Sequence, residues 1–248
     1  MEPVVLDARP EASLLLYCLP PAGSGPGYYR SWVSLVPPWV ELRSLQLPGR
    51  GDRSTQPSMT DPLQLGAHIA AAISACEKDR PYVLFGHSAG ALLAYVTVRH
   101  LRDLGARLPR LLAVSALPAP HLGAYTAALP ARLAAGLQGL RDLIGPIPEE
   151  LLDTPAAAAV CTTVLADLLL LLHYRHQAAP PLDIPLALYG GEHDPVTTTA
   201  ELEAWNALVT APVRPRLFPG AHTYPAQHSP ALLHQLTTDI SNLLTTPG

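Results

Sequence analysis

Pro81-Tyr82-Val83-Leu84-Phe85-Gly86-His87-Ser88-Ala89-Gly90-Ala91-Leu92-Leu93-Ala94 is the stretch that decides the fold. Tyr82–Phe85 is a short apolar run bounded by turn residues, the pattern of a buried strand. Gly90–Leu104 carries a helical pattern, ended by Gly105. Between them stands G-x-S-x-G, from Gly86 to Gly90. A strand that turns this sharply into a helix leaves Ser88 at the apex, in a strained conformation. Gly86 and Gly90 are small because neighbouring backbone packs closely there. At the helix N-terminus, unpaired N–H groups favour developing negative charge beside Ser88. His87 adjoins the nucleophile but points away from it at such a turn, so it is read as packing.

Outward from this stretch, short apolar runs alternate with helical segments. Leu14–Leu19, Glu41–Leu47, Leu111–Ala116, Pro185–Tyr189 and Val213–Phe218 read as further strands. Continuous apolar runs suit a parallel sheet covered on both faces. Asp61-Pro62 and Ser229-Pro230 open helices with a cap followed by proline, and Thr198–Glu201 has the form of a capping box. The alternation predicts βαβ units and a doubly wound α/β sheet. Residues 118–181 break the rhythm with helical pieces and no convincing strand. They are expected to be a helical lid inserted into a single domain spanning residues 1–248.

A serine nucleophile needs a base and an orienting acid. Of ten histidines, His222 follows the last strand through the short loop Pro219-Gly220-Ala221 and precedes the last helix. His228 and His234 are read as surface residues, and His173 and His176 as the end of a lid helix. The acid is expected on the loop after Leu186–Tyr189, where Asp194 stands, with Glu192 as the alternative. An oxyanion needs two backbone donors. One is the N–H of Ala89. The other belongs to the loop Leu19-Pro20-Pro21-Ala22-Gly23-Ser24-Gly25, where proline has no N–H and Ala22 is the first donor available.

Composition narrows the class. Hydrophobic residues make up 48% and charged residues 15% of 248, enough apolar side chains for a sizeable core, which excludes global disorder. The net charge of −4, without a basic run, gives nucleic-acid binding no support. Cys18, Cys76 and Cys161 are odd in number and lack metal-site spacing, which points to a reducing compartment and no zinc. Ala156–Tyr174 is apolar but carries Thr162, Thr163 and Asp167, so it reads as a buried or lid helix rather than a membrane span. No secretory signal stands at the N-terminus.

Together these residues resemble the type II thioesterases that accompany polyketide and nonribosomal peptide synthases. The resemblance covers about residues 14–244. It rests on Pro20–Gly23 with Tyr29-Arg30-Ser31-Trp32, on Gln46-Leu47-Pro48-Gly49-Arg50-Gly51-Asp52-Arg53, and on Gly86–Gly90. Ala119-Pro120-His121, Gly190–Asp194 and Phe218–His222 complete it. The resemblance implies an α/β-hydrolase fold with a helical lid. It also implies hydrolysis of acyl groups stalled on the phosphopantetheine arm of an acyl or peptidyl carrier protein. Ser88, Asp194 and His222 carry over as the triad, and Ala22 and Ala89 as oxyanion donors. No metal or organic cofactor is implied, and the expected setting is a cytoplasmic monomer. Carriers of this kind are acidic, which makes Arg50 and Arg53 docking candidates, the alternative being internal ion pairs with Asp52 or Glu41. The chain departs from the pattern at Pro21 and Ala89, both small beside the oxyanion site, and at Thr223-Tyr224-Pro225 after the base. An esterase or acyl-transferring enzyme with the same triad, and a non-catalytic carrier-binding protein, are the rival readings. The intact Ser, Asp and His argue against the second.

Overall fold

A computed structural model describes residues 3–76, 79–145 and 154–245. Seven strands form one sheet: β1 (Pro3–Val5), β2 (Leu14–Leu19), β3 (Val40–Leu45), β4 (Tyr82–His87), β5 (Leu112–Ser115), β6 (Leu186–Gly191) and β7 (Arg216–Phe218). Their order is β1-β3-β2-β4-β5-β6-β7. All neighbours run parallel except β1, which pairs antiparallel with β3. This is the mostly parallel α/β sheet that the alternation of runs implies, in the arrangement expected from the resemblance to α/β-hydrolase thioesterases.

The central strands are buried on both faces, which is why they read as unbroken apolar runs. Leu15, Tyr17, Leu84, Leu112 and Leu186 face one core, shared with helices α1 (Pro62–Cys76) and α2 (Ala89–Asp103). Leu14, Leu16, Val83, Phe85 and Ala113 face the other, shared with the 3₁₀ helix Pro26–Trp32 and the last helix. Side chains of successive residues alternate between these cores, as the period of two demands.

Between β5 and β6 the chain forms α3 (Ala124–Ala134), α4 (Gly136–Ile144) and α5 (Pro155–His173). Residues 146–153 of this expected insertion lie outside the described residues. After β6 come α6 (Thr199–Glu203), α7 (Tyr224–Gln227) and α8 (Ser229–Thr245). The capping box at Thr198 is formed in both directions with Glu201. No described helix is long and apolar enough to cross a membrane. The three cysteines are unpaired.

Several strand ends differ from the sequence reading: β3 stops at Leu45 rather than Leu47, and β6 runs on to Gly191 rather than stopping at Tyr189. β7 begins at Arg216 rather than Val213, because Pro215 has no N–H to give the ladder. β1 has only three residues, at the sheet edge, too short for its period to show.

Candidate active site

Every group of interest stands at the C-terminal edge of the strands. β4 ends at His87, and Ser88 turns into α2 with φ 53° and ψ −122°, a left-handed conformation that ordinary residues avoid. The Ser88 N–H donates to the carbonyl of Ser115 at the end of β5, at 2.8 Å. Close packing holds the turn: a Cβ on Gly86 would lie 2.2 Å from the Gly90 oxygen, and one on Gly90 2.1 Å from the Leu19 oxygen. Thus the Ser88 turn is wedged against the end of β2, from which the Pro20–Ser24 loop departs.

The loops after β6 and β7 meet this serine. His222 Nε2 is 2.9 Å from Ser88 Oγ, and its Nδ1 is 2.9 Å from Asp194 Oδ2 and 3.1 Å from Oδ1. Both side chains of the His222–Asp194 pair are only 1% exposed. With Nδ1–H directed at the carboxylate, Nε2 keeps a lone pair for the Ser88 hydroxyl proton. Asp194 Oδ1 also accepts the N–H groups of Val196 and Thr197, at 2.7 and 3.2 Å, which sets its orientation. Glu192, the alternative acid, is exposed, as are His173 and His234.

Ala22 and Ala89 are both buried, Ala89 directly after Ser88 at the start of α2. The Ser24 N–H donates to the Pro21 carbonyl, closing a β-turn with Ala22 and Gly23 at its centre. Gly23 has φ 76°, which the second central position of a type II turn requires. Tyr29, from the motif at Tyr29–Trp32, donates its hydroxyl to the Leu19 carbonyl at 2.8 Å and braces the root of this loop.

One network escaped the sequence reading. His87 Nδ1 lies 2.9 Å from Ser115 Oγ, which lies 2.7 Å from the Tyr224 hydroxyl. The His87 ring is fully buried, 5.4 Å from that of His222. Burial, and then the neighbouring His222, hold its imidazole well below the ordinary histidine range. It therefore stays neutral beneath His222. The sequence signal available was the pair of polar residues, His87 and Ser115, at the ends of apolar strands.

The two arginines singled out in sequence stand apart from the triad. The Arg50 guanidinium faces inward and pairs with Asp167 of α5, at 2.6 Å through both Nη1 and Nη2. Arg53, half-buried, bonds the Gln56 side chain and the Gln46 carbonyl.

A cavity of about 610 Å³ opens beside the end of β5, lined by Leu92, Leu117, Ala119, Tyr125, Leu171 and His176 among others. Burial pushes the Tyr125 hydroxyl up, and the nearby Arg132 guanidinium opposes that rise. A larger space, of about 830 Å³, adjoins Pro185, Leu186 and Asn242. It opens at the start of β6, the opposite end of the sheet from Ser88.

A family model described as a thioesterase domain matches residues 15–240. The chain belongs to the thioesterase family. This thioesterase is 32% identical over 241 residues to a protein of Brevibacillus parabrevis named linear gramicidin dehydrogenase LgrE, covering 94% of this chain and 90% of that one. It is 30% identical over 246 residues to thioesterase PikA5 of Streptomyces venezuelae, covering 96% and 84%. Among solved structures it is similar to YbtT, a type II thioesterase from the yersiniabactin NRPS/PKS biosynthetic pathway. There the TM-score is 0.82 at 26% identity, covering 98% of this chain and 99% of that one. These likenesses make it a thioester hydrolase related to the type II thioesterases.

Proposed function

We propose that this thioesterase removes acyl groups from the phosphopantetheine arm of acyl or peptidyl carrier proteins of a polyketide or nonribosomal peptide synthase. What carries the reading is the unbroken, buried chain from Ser88 Oγ through His222 to Asp194. The names of PikA5 and YbtT supply the biosynthetic setting. His222 takes the Ser88 proton while Asp194 holds its tautomer and balances the imidazolium charge. Ser88 Oγ attacks the thioester carbonyl, and the oxyanion rests on the Ala22 and Ala89 amides, each worth about 3 kcal/mol in such a hole. The tetrahedral intermediate collapses, the C–S bond breaks, and the thiol leaves with the proton from His222. Water, deprotonated by His222, then cleaves the acyl-serine and releases the acid.

The helices of residues 118–181 act as a lid in this scheme, and the 610 Å³ cavity beneath them receives the acyl chain. With Arg50 engaged internally, Arg53 is the better placed of the two for an acidic carrier. A discrete monomer visiting its synthase in the cytoplasm completes the proposal, supported by three unpaired thiols and the synthase-linked relatives. The test is turnover of acyl-thioesters beside the matching oxygen esters by native protein and Ser88→Ala. Preferential thioester hydrolysis, lost about 10³-fold or more in the variant, is the expected result. A variant near native turnover, or a preference for oxygen esters, would sink the reading.

A further inference from the structure

We propose that Asp167, on α5, is a positioning residue for the oxyanion hole, acting on the Pro20–Ser24 loop through the Gly23 amide with Arg50 as its counter-ion. This rests on the serine-hydrolase reading above, because Asp167 acts through Ala22 and not on the substrate. Asp167 Oδ2 accepts the Gly23 N–H at 2.8 Å, one peptide beyond the proposed donor Ala22. Arg50 grips the same carboxylate in a fork, with Nη1 on Oδ2 and Nη2 on Oδ1, both at 2.6 Å. Its Nη1 also donates to the Ser24 carbonyl at 2.9 Å. Three segments far apart in sequence thus meet on one turn. The Arg50 and Asp167 side chains are 9% and 3% exposed.

The physical argument turns on what such a pair is for. Removing two charges from water costs about as much as their attraction returns, so a buried pair adds little stability over apolar packing. α5 also buries Val164, Leu168 and Leu171, and its buried Thr163 hydroxyl donates back to the Ala159 carbonyl of the same helix. Packing alone would seat it. A forked, charge-assisted pair adds direction instead. Here the direction is imposed on the turn that carries Ala22.

The turn is confined from both sides. A Cβ on Gly23 would lie 2.4 Å from Val164 Cγ2, so α5 rests directly on it. From below, Gly90 of the nucleophile turn abuts the Leu19 and Pro20 carbonyls. The Ala22 amide is aimed by the peptide planes between these two contacts. Oxyanion donors act through their placement, and a misplacement of about 1 Å can cost 10²-fold in rate. Releasing the Gly23 amide from Asp167 lets the turn rotate and spoils the donor while leaving the substrate's acyl and pantetheine contacts intact.

The experiment compares native protein with Asp167→Asn, Arg50→Lys and the double variant Arg50→Gln/Asp167→Asn. The substrates are a small acyl-thioester and the same acyl group on a carrier protein. An alkylboronic acid, which adds to the Ser88 hydroxyl and places a charged oxygen in the oxyanion site, reports the hole directly. Expected for the single variants is a ten- to hundred-fold fall in kcat with KM within twofold, the same on both substrates. The boronate inhibition constant should rise by a similar factor, and the double variant should be no worse than the poorer single one. Folded Asp167→Asn with kcat within twofold of native overturns the proposal. So does a fall in kcat without weaker boronate binding, or a loss confined to the carrier substrate, which would mark docking. Should Asp167→Asn fail to fold, the double variant, free of an unpaired buried charge, gives the same readings. Native protein that neither binds the boronate nor loses activity in Ser88→Ala would instead overturn the serine-hydrolase reading itself.

Discussion

The two halves of the site are held in different ways. Asp194 and His222 stand on short loops anchored to the sheet by backbone bonds: Glu192 N–H to the Phe218 carbonyl, and His193 N–H to that of Gly220. Their partners lie within a few residues of a strand end. The Pro20–Ser24 loop is held instead by side chains, Asp167 from a helix about 144 residues away and Arg50 from another loop. The proposed acid–base half is part of the sheet framework, which forms when the strands pair. The oxyanion half is complete only when α5 has docked. The difference teaches that neighbouring parts of one candidate site can be held in two ways, by local backbone bonds on one side and by side chains distant in sequence on the other.

The sharpest way to break this contrast is at its rigid half. Asp194→Asn should lower kcat by about 10⁴-fold, through the wrong His222 tautomer, with thermal unfolding little changed. A loss under tenfold would mean that the acid is elsewhere. At the assembled half, Gly23→Ala places a methyl group against Val164 in a left-handed backbone that costs about 1–2 kcal/mol. It should lower kcat about tenfold, and adding Val164→Ala should recover part of that; no recovery would show that α5 does not bear on the turn. At the seam, Ala89→Met refills space beside the attacked carbonyl. Native protein is expected to accept longer or branched acyl chains, and the variant to shift preference toward short ones by about tenfold, given about 0.8 kcal/mol per buried methylene. A native preference for two- and three-carbon chains, unchanged in Ala89→Met, would reject the widened pocket.

The smallest effect concerns stability in the framework half. Burial keeps His87 neutral in the folded state, whereas the unfolded chain binds a proton there near pH 6.5. Stability from this group is present above that pH. It falls as pH drops, by up to about 1.4 kcal/mol per unit until the depressed folded value is reached. The melting temperature of His87→Gln should therefore decline less steeply than native between pH 7 and pH 5. Equal slopes would remove His87 as the cause.

How much of this was legible in the sequence follows the same division. The strands showed because doubly covered strands are apolar throughout, and Ser88, Asp194 and His222 because each stands just past such a run beside glycine or proline. The capping box at Thr198 is a local signature and was readable as one. Asp167 was visible only as a charge that spoils an apolar run. Its partner Arg50 lies 117 residues away, and no local pattern encodes a contact of that separation. Arg50 reads in sequence as a docking cation or as the partner of Asp52 or Glu41, and nothing near it in sequence tells that its partner is Asp167, on a helix that covers it. The His87–Ser115–Tyr224 network likewise joins three segments, and each residue alone looks like ordinary strand-end or loop polarity.

The backbone of Ser88, at φ 53°, also bears on how far this chain could be hardened. A non-glycine residue held in such a region costs of order 1–3 kcal/mol, as it also does at Ala116, with φ 52°. Glycine occupies the region freely. Ser88→Gly is therefore expected to be inert yet to melt a few degrees above the native protein, since about 1 kcal/mol is worth 2–4 °C at this size. Activity and robustness pull against each other at a single torsion angle. A durable, dead copy of the molecule, the rest of its surface unaltered, would serve as bait for the acylated partner proposed for it.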